Sequence, residues 1–317
     1  MNTTRKTHRH GHTVRCFALL AFTAACGSEF DDGFEGEGAG GVGAGSEQGG
    51  GGAGAGSEGG AGGVGGQAPE GGAAPAITIR FRSSTAPFPH DDGLAGQTPL
   101  SHVSGLRKLQ LYPSPTDPNP LTVFDFGSDF VEVSYADGAD TPVYTVPAST
   151  LPQGLYTVAR VVHSHVRYEV ASTMHVNGQA LPGTYQNLQV LSDGTLLDGQ
   201  LRNHGYYEYV FSTGYVDFPI SGDNAPVPEW SETGGFSTKL ENGEWGYYFP
   251  IELWVTPELT EDVDIVLEVN MHESFRWQDQ SEPGFAPGVF DTVPTAFEPV
   301  KRFGANDFAL SLEPAAR

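Results

Sequence analysis

From Ala76 onward, apolar and polar residues alternate in short runs cut by turn residues at fairly regular intervals. "AITIRFRS" (76–83) places isoleucine, isoleucine and phenylalanine on every second position, the period that puts one face of a strand in a core and the other in water. "LRKLQLYPS" (106–114), "FVEVSYADG" (130–138) and "YYEYVFS" (206–212) read the same way, as does "GYYFPIELWV" (246–255). "GLYTVARVVHSHVRYEVAS" (154–172) supplies one long strand or two in succession. In "VDIVLEVNMHESF" (263–275), Val263, Ile265, Leu267, Val269 and Met271 share one face, with Asp264, Glu268, Asn270 and His272 on the other. Asn177-Gly178 and Asp193-Gly194 stand between strand-like halves, and Asn-Gly and Asp-Gly favour the tight turns of hairpins. No run of three or four helical turns is evident and no repeat keeps a constant period, which excludes solenoids and propellers. The pattern predicts an all-β fold, an antiparallel β-sandwich spanning 76–317, as one domain or two sub-sandwiches.

The first 75 residues carry no such pattern. Arg5, Lys6, Arg9 and Arg15 precede about ten apolar residues that end at Cys26, the order of a secretory signal over 1–25. That apolar run is too short to span a bilayer, which takes roughly 17–25 residues. Residues 26–75 are mostly glycine, alanine, glutamate and serine, with too little apolar surface to offset the entropy of ordering. A coil of this composition has a mean reach of about 40 Å and would serve as a tether.

Charge narrows the partners. Four of the 16 basic residues and none of the 39 acidic ones precede Cys26, so the chain from there on carries a formal charge of −27. Such a surface repels phosphate backbones and anionic headgroups, which argues against nucleic acid and against attachment through a basic patch. Cys16 lies within the signal, leaving Cys26 as the one cysteine of the exported chain and no pair for an internal disulfide.

Ala24 and Ala25 before Cys26 resemble the lipobox of bacterial lipoproteins, although Thr23 stands where that family usually has leucine. The resemblance implies a lipid (palmitate) anchor on Cys26 and a place at the outer membrane or cell surface, held by the bilayer; an ordinary signal peptide cut near Ala25 is the alternative. "STLPQGLYTVARVV" resembles the Pro-x-Gly-x-Tyr lead into a strand of extracellular sandwich modules, prealbumin-like ones included, on Pro152, Gly154 and Tyr156. The segment 274–310 is similar to the tails of myxobacterial-type lipoproteins.

Candidate chemistry is sparse. His163 and His165, two apart on one strand, are expected on a common face, and His175 could join them in a transition-metal site. Tyr207, Tyr209 and Phe211 share one face and Trp245 and Tyr247 another; if exposed they would make a flat platform for sugar rings, aided by Asn203, Glu208 or Asp217. "YADGAD" (Asp137, Asp140) and "TEDVD" (Glu261, Asp262, Asp264) offer carboxylates to calcium without the spacing of an EF-hand. No Gly-x-Ser-x-Gly elbow, His-Glu-x-x-His, P-loop or Gly-x-Gly-x-x-Gly after a strand occurs in the folded part, and no cofactor beyond calcium or a transition metal is expected. The sequence therefore leaves a binding or structural module of the cell envelope, for a glycan or a protein, beside a carbohydrate-active hydrolase with unassigned carboxylates or a metal-binding envelope protein.

Overall fold

In Ala76–Ser84 (β1), Ile77, Ile79, Phe81 and Ser83 are buried and the residues between them half-exposed, so the alternation of the sequence becomes the two faces of a strand. The structure is a computed structural model and describes residues 16–17, 75–225, 230–233, 236–256, 261–294 and 296–315. From Pro75 on they belong to one compact unit. Apart from Cys16 and Phe17, the expected signal lies outside the described residues, as do Cys26 and the expected tether up to residue 74.

The domain is all-β: a smaller and a larger sheet, mostly antiparallel, pack as a sandwich beside a two-stranded and a three-stranded sheet, with only a 3-10 turn at Ala148–Thr150 among the described residues. The further strands used below are Ser101–Tyr112 (β2), Val131–Ser134 (β3), Asp140–Pro147 (β4), Gly154–Val176 (β5), Gln179–Val190 (β6), Tyr207–Ser212 (β7), Asp217–Gly222 (β8), Phe236–Glu241 (β9), Glu244–Val255 (β10), Val263–Asn270 (β11) and Asp307–Pro314 (β12). The smaller sheet runs β12, β11, β1, β4, with Cys16–Phe17 paired to the outer edge of β12. Its β11–β1 pairing is parallel, register Ile265 to Ile79, and its other pairings are antiparallel. The larger sheet has 12 strands, with β8, β7, β6, β5, β10 and β9 in order along its main path.

The 154–172 segment is a single strand. β5 is 23 residues long and changes partner halfway: residues 154–162 pair with β10 and residues 165–176 with β6, while β2 covers its other edge. At the changeover Leu106 of β2 faces His163 and Ser104 faces Val166, so Ser164 and His165 together oppose Gly105. That is a β-bulge, and the extra residue reverses which side chains point inward. Before it Val161 and His163 point into the sandwich and Arg160 reaches Gln110 and Glu244 outside it. After it Val166, Tyr168 and Val170 point in and Arg167 is exposed.

Turn chemistry follows the dipeptides with one exception. Asn177 and Gly178 both take positive φ and close the β5–β6 hairpin. Asp193-Gly194 was expected to do the same, but the strands flanking it do not pair; the hairpin forms one step on, over Asp198-Gly199, between Thr195–Leu197 and Gln200–Arg202. Asp193 is held elsewhere, its carboxylate taking the backbone N–H of His204 and its own N–H donating to the Gly243 carbonyl. Tyr156 explains the Pro-x-Gly-x-Tyr segment: its ring is buried and its hydroxyl donates to the Pro152 carbonyl at 2.9 Å, the geometry of a tyrosine corner.

The core lies between the sheets. Ile79, Phe81, Ile265 and Leu267 of the smaller sheet meet Leu109, Val161, Phe249 and Leu253 of the larger. Each such side chain contributes about 1.5–3 kcal/mol by leaving water, which suits a domain with no disulfide to brace it.

Candidate functional site

Beside the bulge of β5 an open-mouthed cavity lies between the two sheets, with an envelope of about 480 Å3, solvent at its mouth included. Its wall is aromatic: Tyr135, following β3; Trp245 and Tyr247, from β10; Phe303 and Phe308, from the segment entering and beginning β12. The aromatic rings pack in pairs, Tyr247 against Phe308 at 4.7 Å between centroids and against His163 at 5.2 Å.

Into this wall β2 and β5 place a polar cluster. Ser104 Oγ lies 2.9 Å from His163 Nδ1 and 3.0 Å from the Tyr135 hydroxyl, so the three form one hydrogen-bonded chain. His102 stacks on Tyr135 with centroids 4.3 Å apart. Burial holds both imidazoles neutral, with pKa lowered to about 3; for His163 the neighbouring His165 and His102 add to the effect. Burial likewise raises the Tyr135 and Tyr247 hydroxyls, so they stay protonated. Two polar atoms of the lining, His102 Nδ1 and Thr238 Oγ1, are buried without a hydrogen-bond partner among the described residues. A buried polar atom left unpaired costs about 1–3 kcal/mol, which a ligand group placed there would recover.

No carboxylate, lysine or arginine lines the cavity among the described residues. The Ser104–His163 contact has the distance of a nucleophile and its base, but Ser104 is also bound to Tyr135 and no described carboxylate orients the imidazole.

The structure redistributes the residues expected to act together. His163 and His165 were expected on one face, and the bulge separates them: His163 lines the cavity, whereas His165 is on the opposite side of the sheet against Phe130 at 4.6 Å. His165 is fully buried and its pKa is lowered to about 4, by burial first and by Arg167 second. His175 is apart from both, with Nε2 2.7 Å from the buried carboxylate of Asp291. These three do not form a metal site.

Nor do the aromatic residues form an exposed platform. Trp245 and Tyr247 are buried in the sandwich core, Phe211 is buried beside Phe218 outside it, and Tyr207 and Tyr209 are half-buried, packed on one another at 4.5 Å. Asn203 and Glu208 are taken up by the Gly194 N–H and the Tyr206 hydroxyl. The acidic turns are spent on structure too: Asp137 accepts from the Thr85 N–H, Asp262 from the Ala76 N–H, and Asp140 pairs with Arg80 and Arg82. Asp264 is buried beside Arg80.

His102, in β2, and Tyr135, directly after β3, were not picked out in the sequence because the local patterns there are unremarkable. His102 alternates with Ser104 on β2, and that pair of small or polar residues at core positions was the available signal. No helix among the described residues is long and apolar enough to cross a membrane. Compared with known protein families, curated proteins and solved structures, the chain matches none.

Proposed function

We propose that the protein is an exported binding module, tethered through lipid on Cys26, whose sandwich seats a small uncharged ligand with an aromatic or aliphatic body and one or two hydrogen-bonding groups. The observation that carries the ligand reading is the pair of polar atoms, His102 Nδ1 and Thr238 Oγ1, that have no partner among the described residues, in an aromatic-walled cavity that no described charged side chain lines. Sites for small molecules have this make-up, a mostly apolar lining with a few placed polar groups. A charged ligand would lose its hydration there with no counter-ion to replace it.

Indole and p-cresol are suitable probes, since each combines a ring with one hydrogen-bonding group. At about ten times its Kd a bound probe adds roughly 1.4 kcal/mol, a rise in Tm of about 3–5 °C for a domain of this size. Ala305, buried in the cavity wall, provides the control. Ala305→Leu is expected to fill the space and abolish the shift while the protein stays folded. No shift with either probe, or the same shift in Ala305→Leu, refutes the reading.

The tether rests on the basic and apolar run ending at Ala24-Ala25-Cys26. Cys26→Ala is expected to abolish palmitate labelling and release the protein from membranes; a variant that partitions and labels as the native chain does would refute the anchor.

A further inference from the structure

We propose that His90, His272 and Glu273 form a binding site for a divalent transition metal, zinc being the ion their donors suit best. One ring nitrogen from each histidine and one carboxylate oxygen of Glu273 lie within 4.8 Å of one another, and all three side chains are half-buried. The imidazoles are near-parallel, 13° between planes. Zinc at about 2.0–2.1 Å from its ligands needs donor atoms about 3.3 Å apart, so the site closes by a movement of about 1.5 Å in side chains that retain access to solvent.

The surroundings hold the donors in place. His90 Nε2 is 3.1 Å from the His272 carbonyl; donating its N–H there leaves the Nδ1 lone pair to ligate, the way a metal-bound histidine is usually oriented by a carbonyl. The backbone carrying the other two ligands is fixed at three points. Asn270 Oδ1 accepts the His272 N–H, Asn306 Nδ2 donates to the His272 carbonyl, and Thr98 Oγ1 accepts the Glu273 N–H. Glu273 itself sits at φ 45°, a left-handed conformation that a glutamate seldom adopts.

Two contacts compete with the ion. Arg276 Nη1 is 3.5 Å from Glu273, but the same guanidinium has its main partner in Asp92, which also pairs with Arg302. The Phe88 N–H points at His272 Nδ1 over a long 3.3 Å, and a metal on Nε2, which puts the proton on Nδ1, displaces it. Both are contacts a bound dication would exchange for shorter ones. Two imidazoles and one carboxylate select zinc, nickel or copper over calcium, and three protein ligands leave a position for water.

The test uses the chelator-stripped full chain titrated with Zn2+ and with Co2+. One equivalent of Zn2+ is expected to raise Tm, and Co2+ to show the visible bands of a four-coordinate site. His90→Ala and His272→Ala are each expected to weaken that equivalent by about 10- to 100-fold, and His175→Ala to leave it unchanged. Melting in EDTA separates loss of the site from loss of the fold; should either histidine variant misfold, Glu273→Gln, which keeps the size of a half-buried side chain whose charged contact is the 3.5 Å one to Arg276, is expected to weaken binding at least tenfold with its EDTA melt intact. Native-strength binding in the folded variants, or no saturable equivalent in the native chain, overturns the site.

Discussion

Lowering the pH from about 7 to about 5 is expected to remove about 5 kcal/mol from the stability of the domain. His102, His163 and His165 are buried and neutral, with folded-state pKa values of about 3, 3 and 4 against 6.5 in the open chain. Unfolding at acid pH therefore takes up three protons that the fold refuses. The sign follows directly: the three groups stabilise the fold fully above the open-chain value, and that stability is lost as pH falls toward the folded values. Each histidine gives up roughly 2 kcal/mol over this interval, and together, less what Glu298 returns, they approach the whole stability of an ordinary domain. Asp92 and Asp125 have lowered pKa values and fail only at more acid pH, below the ordinary aspartate value of 3.8. Glu298, raised chiefly by burial, acts in the opposite direction and offsets part of the loss. Urea midpoints measured between about pH 7 and pH 5 check this, and His165→Gln is expected to reduce the pH slope by about one third. A midpoint that stays flat over the interval would show that the histidines are protonated in the fold.

Replacing Gly105 with alanine is expected to cost about 3 kcal/mol, or about 6–12 °C in Tm. Gly105 lies opposite the bulge, and an added Cβ would stand 2.1 Å from Ser164 Oγ, 2.8 Å from the Phe130 ring and 2.9 Å from His165 Nδ1. Ser164 is fully buried and its hydroxyl donates to the Gly105 carbonyl, so it has no open space to turn into. The strain can be relieved only by moving β2 from β5 at the level where Ser104 meets His163. Ser164→Ala in the same chain is expected to recover more than about 1 kcal/mol, the coupling of two residues in contact. A Gly105→Ala protein within about 0.5 kcal/mol of the native one in chemical denaturation would mean that the bulge yields freely and that it does not fix the cavity.

The two results concern the same point in the fold, because the bulge both buries His165 and turns His163 into the cavity. It also marks where the sequence stops being informative. The histidine pair of "HSHVR" carries a local instruction, two residues apart on one strand and hence one face, and a single extra residue against Gly105 reverses it. Nothing within that segment announces the insertion, since a bulge is defined by the partner strand some sixty residues earlier. The aromatic runs behave likewise. Their alternation correctly marks one face of each strand, but whether that face meets water or a second sheet depends on strands such as β12, whose Phe308 covers Tyr247 from the far end of the chain.

What the sequence determined by itself is what neighbouring residues can settle among themselves: the strand period from Ile77 to Phe81, the turn at Asn177-Gly178, and the tyrosine that closes its own loop onto Pro152. These depend on side-chain direction and backbone sterics over a few residues. Tertiary structure decided the rest. It moved a hairpin from Asp193-Gly194 to Asp198-Gly199, sent His163, His165 and His175 to three separate places, and drew His102, Ser104, Tyr135, Trp245 and Tyr247 from three strand neighbourhoods into one cavity. The physical reason is that register and facing accumulate along paired strands distant in the chain, and a shift of one residue exchanges inside for outside.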